Sequence, residues 1–169
     1  FLLLNKELKH MSIEVRVESI INIAADVIVM SANPSLLAGS GVSGALHKKA
    51  GPDLEIAAKS LGPIKQGESV ITPAFNLNAK YVVHTVCPRF FRGADEEIAL
   101  LASAYKASVD SLHQLENVNS IAFVSMGTGI YRWPIELAAD IAIKELKKSR
   151  YEKTIMCIVD SKIKAMYES

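Results

Sequence analysis

Two short segments carry residues whose type and spacing suit chemistry on an anion: Ala38-Gly-Ser-Gly-Val-Ser-Gly44 and Met126-Gly-Thr-Gly-Ile-Tyr131. Each follows an apolar run and precedes a helical pattern. Glycine at a strand-to-helix turn leaves main-chain N–H groups open, and these, with a helix N-terminus behind them, attract phosphate. Two such turns are suited to holding a diphosphate between them.

Gly39-Ser-Gly41-Val-Ser-Gly44 also spells G-x-G-x-x-G, so a dinucleotide-binding unit has to be weighed. Against it, Asn33 to Ala38 separate the apolar run from the first glycine, which that fingerprint needs in the tight turn at the strand end. An acidic residue ending the next strand is also missing, since Glu68 begins a strand. A P-loop is excluded, because neither glycine turn is followed by Lys-Ser/Thr. His47 and His84 lack a partner at a spacing used for nucleophilic catalysis and read as structural. Cys87 and Cys157 have neither Cys-x-x-Cys nor Cys/His spacing, so they read as free buried thiols, with no zinc site and no disulfide. Trp133 and Phe90-Phe91 are candidates for stacking on a base, although packing beside a cleft is the commoner use of such aromatics.

The elements that must position these turns follow from hydrophobic patterning. Ile13 to Val17 alternates at period two, as a half-exposed edge strand does. Val27–Met30, Tyr81–Val86, Ile121–Val124 and Ile155–Val159 are continuous apolar runs, as in inner strands covered on both faces. Helical patterns occupy 45–50, 53–60, 96–115 and 135–148, with Leu100, Leu101, Ala104 and Tyr105 on one stripe and Leu137, Ile141 and Leu146 on another. Alternating strands and helices predict a three-layer α/β/α sandwich, whose ligands bind at strand carboxyl ends. With 169 residues, 50% hydrophobic, the chain suits one domain over 11–169, and residues 1–10 read as an N-terminal extension or a remnant of cloning. Nineteen basic against eighteen acidic residues, without a basic block, leave no general nucleic-acid footprint. The absence of a signal-like or membrane-spanning run implies no membrane partner and a cytoplasmic location.

Val27-Ile-Val-Met-Ser-Ala-Asn33, Leu36 to His47, Ala50-Gly-Pro52, His84-Thr-Val-Cys-Pro88 and Gly127-Thr-Gly-Ile-Tyr-Arg-Trp-Pro134 together resemble the macrodomain family, in its order and over about residues 13 to 168. The resemblance implies a mixed central sheet and a cleft for ADP-ribose or a derivative, with no metal and no cofactor. It places Asn33 against the distal ribose, where its amide offers both a donor and an acceptor to hydroxyls or an ordered water; capping the following turn is the competing use. Gly39, Ser40, Gly41 and Val42 correspond to the first phosphate loop. Gly127, Thr128, Gly129 and Ile130 correspond to the second, with Tyr131 beside the distal ribose. Ser19, Ile20 and Val159 fall at the adenine end.

Several positions depart from the family. Ser19 stands where an aspartate usually accepts from the adenine amino group, and Val159 where many members carry an aromatic; Glu18 is a neighbouring carboxylate that would point the other way from an extended segment. Ser43 replaces the aspartate of hydrolytic members, and a serine without a base does not activate water. Arg132 stands where glycine is common. The expectation is a binder of ADP-ribose, with hydrolysis of an ester at the distal ribose, in O-acetyl-ADP-ribose or an ADP-ribosylated protein, through water held by Asn33 and the ligand's phosphate. A reader without turnover, and a binder of another nucleotide or RNA, are the alternatives.

Overall fold

In the computed structural model, residues 13–151 and 153–168 are described; the expected 1–10 extension lies outside them. Six strands form one sheet: β1 (Ile13–Val17), β2 (Val27–Ser31), β3 (Ser69–Pro73), β4 (Tyr81–Thr85), β5 (Ser120–Val124) and β6 (Lys153–Ile158). Their order is β1-β6-β5-β2-β4-β3, with all neighbours parallel except the antiparallel edge strand β3. The helices are α1 (Gly41–Ala50), α2 (Pro52–Lys59), α3 (Asp95–Asp110), α4 (Ile135–Leu146) and α5 (Ser161–Glu168).

The apolar runs are continuous because both faces of the sheet are covered. Val27 and Val29 of β2 enter a core with Leu101, Ala104 and Tyr105 of α3, Ala138 and Ala142 of α4 and Tyr167 of α5. Ile28 and Met30, one residue out of phase, enter a second core with Leu46 and Ala50 of α1 and Leu54 of α2. The alternation of strand side chains thus fills both outer layers from one strand. β1 lies at an edge, and its exposed face carries an Arg16–Glu14 ion pair at 2.6 Å.

α5 has no counterpart in the sequence expectation, and α3 and α1 differ from it in extent. The stretch 96–115 is α-helical only to Asp110 and closes in a 3-10 turn over Ser111–Gln114. Ser108 Oγ donates to Ala104 O at 2.7 Å and Ser111 Oγ to Ser108 O at 2.9 Å, hydroxyl bonds that compete for helix carbonyls. α1 begins at Gly41 rather than at residue 45, so the second half of the first glycine turn is itself the helix's first turn.

Candidate functional site

After β2 the chain goes to β3 and β4 on one side, and after β5 to β6 on the other, so the winding direction reverses between the adjacent strands β2 and β5. A crevice outside the carboxyl ends at such a reversal is where α/β sheets bind ligands. The first glycine loop leaves β2 and the second leaves β5, so the two flank this point. Across the five parallel strands the carboxyl ends carry, in order, Ser19 after β1, Val159 after β6, Gly127–Tyr131 after β5, Asn33–Gly41 after β2 and Pro88–Arg89 after β4. At about 4.8 Å per strand this row spans about 19 Å.

The first loop is shaped by glycine at specific points. Gly39 and Gly41 have φ of +68° and +62°, in the left-handed region. A Cβ on Gly44 would sit 2.7 Å from Gly39 O, so only glycine lets the helix start fold this closely under the loop. Ser40 precedes α1 without a side-chain capping bond, and the first turn holds no acidic residue. The helix therefore presents a positive N-terminal end with no carboxylate of its own beside it. Ser43 Oγ donates to Ala38 O at 2.8 Å, and Ala38 N donates to Glu55 Oε2 at 3.1 Å. Ser43 is thus a tether between helix and loop.

Asn33 is largely committed to its own turn. Its Oδ1 accepts from Leu37 N at 3.1 Å and from Ser35 Oγ at 3.0 Å, while Nδ2 donates to Leu37 O at 3.0 Å. One Nδ2 hydrogen is left for a further acceptor. That nitrogen also lies 3.4 Å from where a Cβ on Gly39 would be, so the amide abuts the first loop.

The second loop has a buried foot at each end and an exposed arch. Arg132 N donates to Gly129 O at 3.1 Å and Trp133 N to Gly127 O at 3.0 Å, closing the turn. Arg132 adopts φ +60°, a left-handed conformation that favours glycine. Trp133, 2% exposed, donates from Nε1 to Pro88 O at 2.8 Å and meets Phe90 edge-on with centroids 5.3 Å apart. It is a support of the loop, and its ring is not available to stack on a base. Arg89 lies 5.5 Å over the Tyr131 ring, and Phe90 N donates to Tyr131 O at 3.0 Å. Ile130 at the arch is 80% exposed.

At the far end of the row, Ile20 is 3% exposed, so its side chain belongs to the core and only its main chain is left to a ligand. Ser19 caps the 3-10 turn Ile20–Asn22, its Oγ accepting from Ile21 N at 3.4 Å. Val159 is 81% exposed. Glu18 N donates to Ile158 O at 2.9 Å, and its carboxylate stands near Cys157. Burial first, and that carboxylate second, push the Cys157 thiol up to about 12. Both cysteines are buried free thiols.

His47, on the inner face of α1, and His84, on β4, have ring centroids 6.2 Å apart. His84 is fully buried and shares a 2.9 Å hydrogen bond with Thr72 Oγ1. Burial, helped by His47, lowers its pKa to about 4, so it is neutral at physiological pH. Burial also lowers His47, against an opposing pull from Glu55. Among the described residues no cluster of three or more His, Cys, Asp or Glu is arranged to hold a metal ion, and no helix is long and apolar enough to cross a membrane.

Sequence reasoning missed Glu55, which holds the first loop from α2, Arg89, which stands over Tyr131, and Ser125 and Tyr167, which meet under the second loop. None has a spacing signal, because each reaches its loop from a distant element.

A mixed sheet with two glycine loops at its point of reversal defines an α/β/α domain with a crevice at the carboxyl ends of its parallel strands. The Macro domain family model matches residues 29–142, and the chain belongs to the macrodomain family. It is 39% identical over 152 residues to a macro domain-containing protein of Ralstonia nicotianae, covering 89% of this chain and 88% of the relative. It is 41% identical over 163 residues to the O-acetyl-ADP-ribose deacetylase of Klebsiella pneumoniae, covering 91% and 93%. Among solved structures, a mutant Oceanobacillus iheyensis macrodomain with ADPR superposes with a TM-score of 0.86 at 31% identity, covering 95% of this chain and 92% of that one.

Proposed function

We propose that this chain binds ADP-ribose or a close derivative along the carboxyl ends of its parallel strands, with the diphosphate between the two glycine loops. The observation that carries this is the pair of loops on adjacent strands β2 and β5, one of them opening directly into a helix whose first turn has no acidic residue. The order of the row supports the direction: Ser19 and Val159 toward adenine, Asn33 and Tyr131 toward the distal ribose. The ADPR-bound structural neighbour supports the same ligand class.

The test is calorimetric titration of ADP-ribose, with ADP, AMP, NAD and oligo(A) as competitors and Gly129→Glu as a control. A Cβ at Gly129 meets nothing within 4 Å, so the variant folds while placing a carboxylate where phosphate would lie. Binding of ADP-ribose in preference to the competitors, lost in the folded variant, supports the proposal; tighter binding of oligo(A) or AMP would sink it.

Hydrolysis of an ester at the distal ribose, in O-acetyl-ADP-ribose or an ADP-ribosylated protein, is the second reading. The deacetylase named among the relatives favours it. The uncommitted Nδ2 hydrogen of Asn33 is the group that would hold water there, together with the ligand's phosphate. Release of acetate above background supports this reading, and binding without turnover makes the protein a reader.

A further inference from the structure

The second loop's N-terminal foot is held from the far end of the chain. Tyr167, on the C-terminal helix α5, is 3% exposed, and its hydroxyl pairs closely with Ser125 Oγ, the residue between β5 and the loop. Thr128 Oγ1 reaches back from inside the loop to the same residue, 3.0 Å from Ser125 O and 3.1 Å from Ser125 Oγ. On the other side Tyr105 of α3, fully buried, accepts from Met126 N at 3.0 Å. A line of hydroxyls thus runs Tyr167–Ser125–Thr128, from the C-terminal helix to the loop that carries Gly129, while Tyr105 holds Met126 N at the same foot. Burial raises both phenols, so both keep their protons and remain donors.

The loop needs such a foot. Gly129 has no neighbour within 4 Å of a Cβ and Ile130 is largely in solvent, so the arch is set by its two ends. The C-terminal end is fixed by Trp133 on Pro88 and by Arg89 over Tyr131. At the N-terminal end, side-chain support comes from this hydroxyl line.

We infer that Tyr167 is a positioning residue for the second glycine loop: through Ser125 and Thr128 it holds the loop's main-chain donors in the arrangement that meets a diphosphate, and so links docking of the C-terminal helix to ligand affinity. The ligand part rests on the ADP-ribose proposal above, whereas the loop part does not.

The test is Tyr167→Phe in the full chain, which keeps the ring and removes one oxygen. ADP-ribose and ADP should bind about 3–10-fold more weakly, the size of one lost hydrogen bond, while adenosine, which lacks the diphosphate, changes less than about twofold. In the double-mutant cycle with Thr128→Val, the second substitution should cost little once the first is made, because both act on Ser125. Equal weakening of ADP and adenosine, or additive effects, would mean a merely structural tyrosine and would overturn the proposal. A ligand-free measurement separates the two claims. NMR relaxation dispersion of the Thr128–Tyr131 amides should show new microsecond-to-millisecond exchange in Tyr167→Phe. If wild-type protein failed to bind ADP-ribose, the ligand proposal would fall while this exchange still decided the positioning role; unchanged loop dynamics would refute it.

Discussion

Gly127 and Gly129 sit two residues apart in one loop, yet substitution by alanine should separate stability from binding. A Cβ on Gly127 would lie 2.6 Å from Trp133 Cδ1 and 3.1 Å from Cγ, and Gly127 has φ +85°. The indole cannot yield, since it is held by Pro88 O at 2.8 Å and by the edge of Phe90. Overpacking costs about 1–3 kcal/mol and a left-handed L-residue about 1–2 kcal/mol more. Gly127→Ala should therefore lose about 2–5 kcal/mol, lowering Tm by roughly 4–20 °C for a chain of this size. At Gly129 the Cβ meets nothing and φ is not left-handed, so Gly129→Ala should stay within about 0.5–1 kcal/mol of wild type, the scale of glycine's conformational entropy. On the ADP-ribose proposal its methyl group would stand where the loop meets the diphosphate, so ADP-ribose affinity should fall at least about tenfold, or about 1.4 kcal/mol. Differential scanning calorimetry and titration calorimetry on the same samples read both quantities. A Gly127→Ala protein with Tm within 2 °C of wild type, or a Gly129→Ala protein that binds ADP-ribose normally, would refute this division of labour.

Three further outcomes can be measured. His84 is neutral in the fold because burial lowers its pKa from about 6.5 to about 4. The unfolded chain thus binds the extra proton between those values, and this contribution, about 3 kcal/mol, is complete above pH 6.5 and lost as pH falls toward 4. His84→Gln can keep the bond to Thr72 without titrating, so urea unfolding from pH 7.5 to 4.5 should show a shallower acid loss than wild type; parallel profiles would exclude His84 as the cause. Asn33→Ala removes three loop hydrogen bonds and should cost about 1–3 kcal/mol in stability as well as ligand affinity. Asn33→Asp keeps the Oδ1 acceptor and loses the donor, so an Asp variant that folds like wild type but binds and turns over poorly would assign the function to Nδ2, while full activity would remove that role. Ser43→Ala breaks the tether to Ala38 O, costing about 1 kcal/mol, and should leave any turnover within about twofold. A tenfold loss of turnover with Tm preserved would show that the hydroxyl acts on water.

How much of this was legible in the sequence depended on whether the physics was local. Val27–Met30 could be read as an inner strand because the run that fills one core also fills the other, and both faces leave the same apolar signature. β1 declared itself an edge by alternation. The start of α1 was hidden, because Gly41 and Gly44 are poor helix formers by propensity and are required there by φ and by the 2.7 Å approach to Gly39 O. α5 left no pattern that marked it, and only the tertiary structure shows Tyr167 reaching Ser125 across forty-two residues.

The glycine spacing located both loops but did not rank their members. Gly44 and Gly127 are glycine because a neighbour occupies the place of a side chain, and Gly41 because its backbone is left-handed over open space. Gly129 alone among these has neither a crowding neighbour nor a left-handed φ, so nothing within the ligand-free fold accounts for glycine at that position. Glycine there, on an exposed arch between two fixed feet, is what the proposed approach of a diphosphate from outside would require. That makes Gly129, rather than the better-packed glycines around it, the position at which the binding proposal is most exposed to refutation.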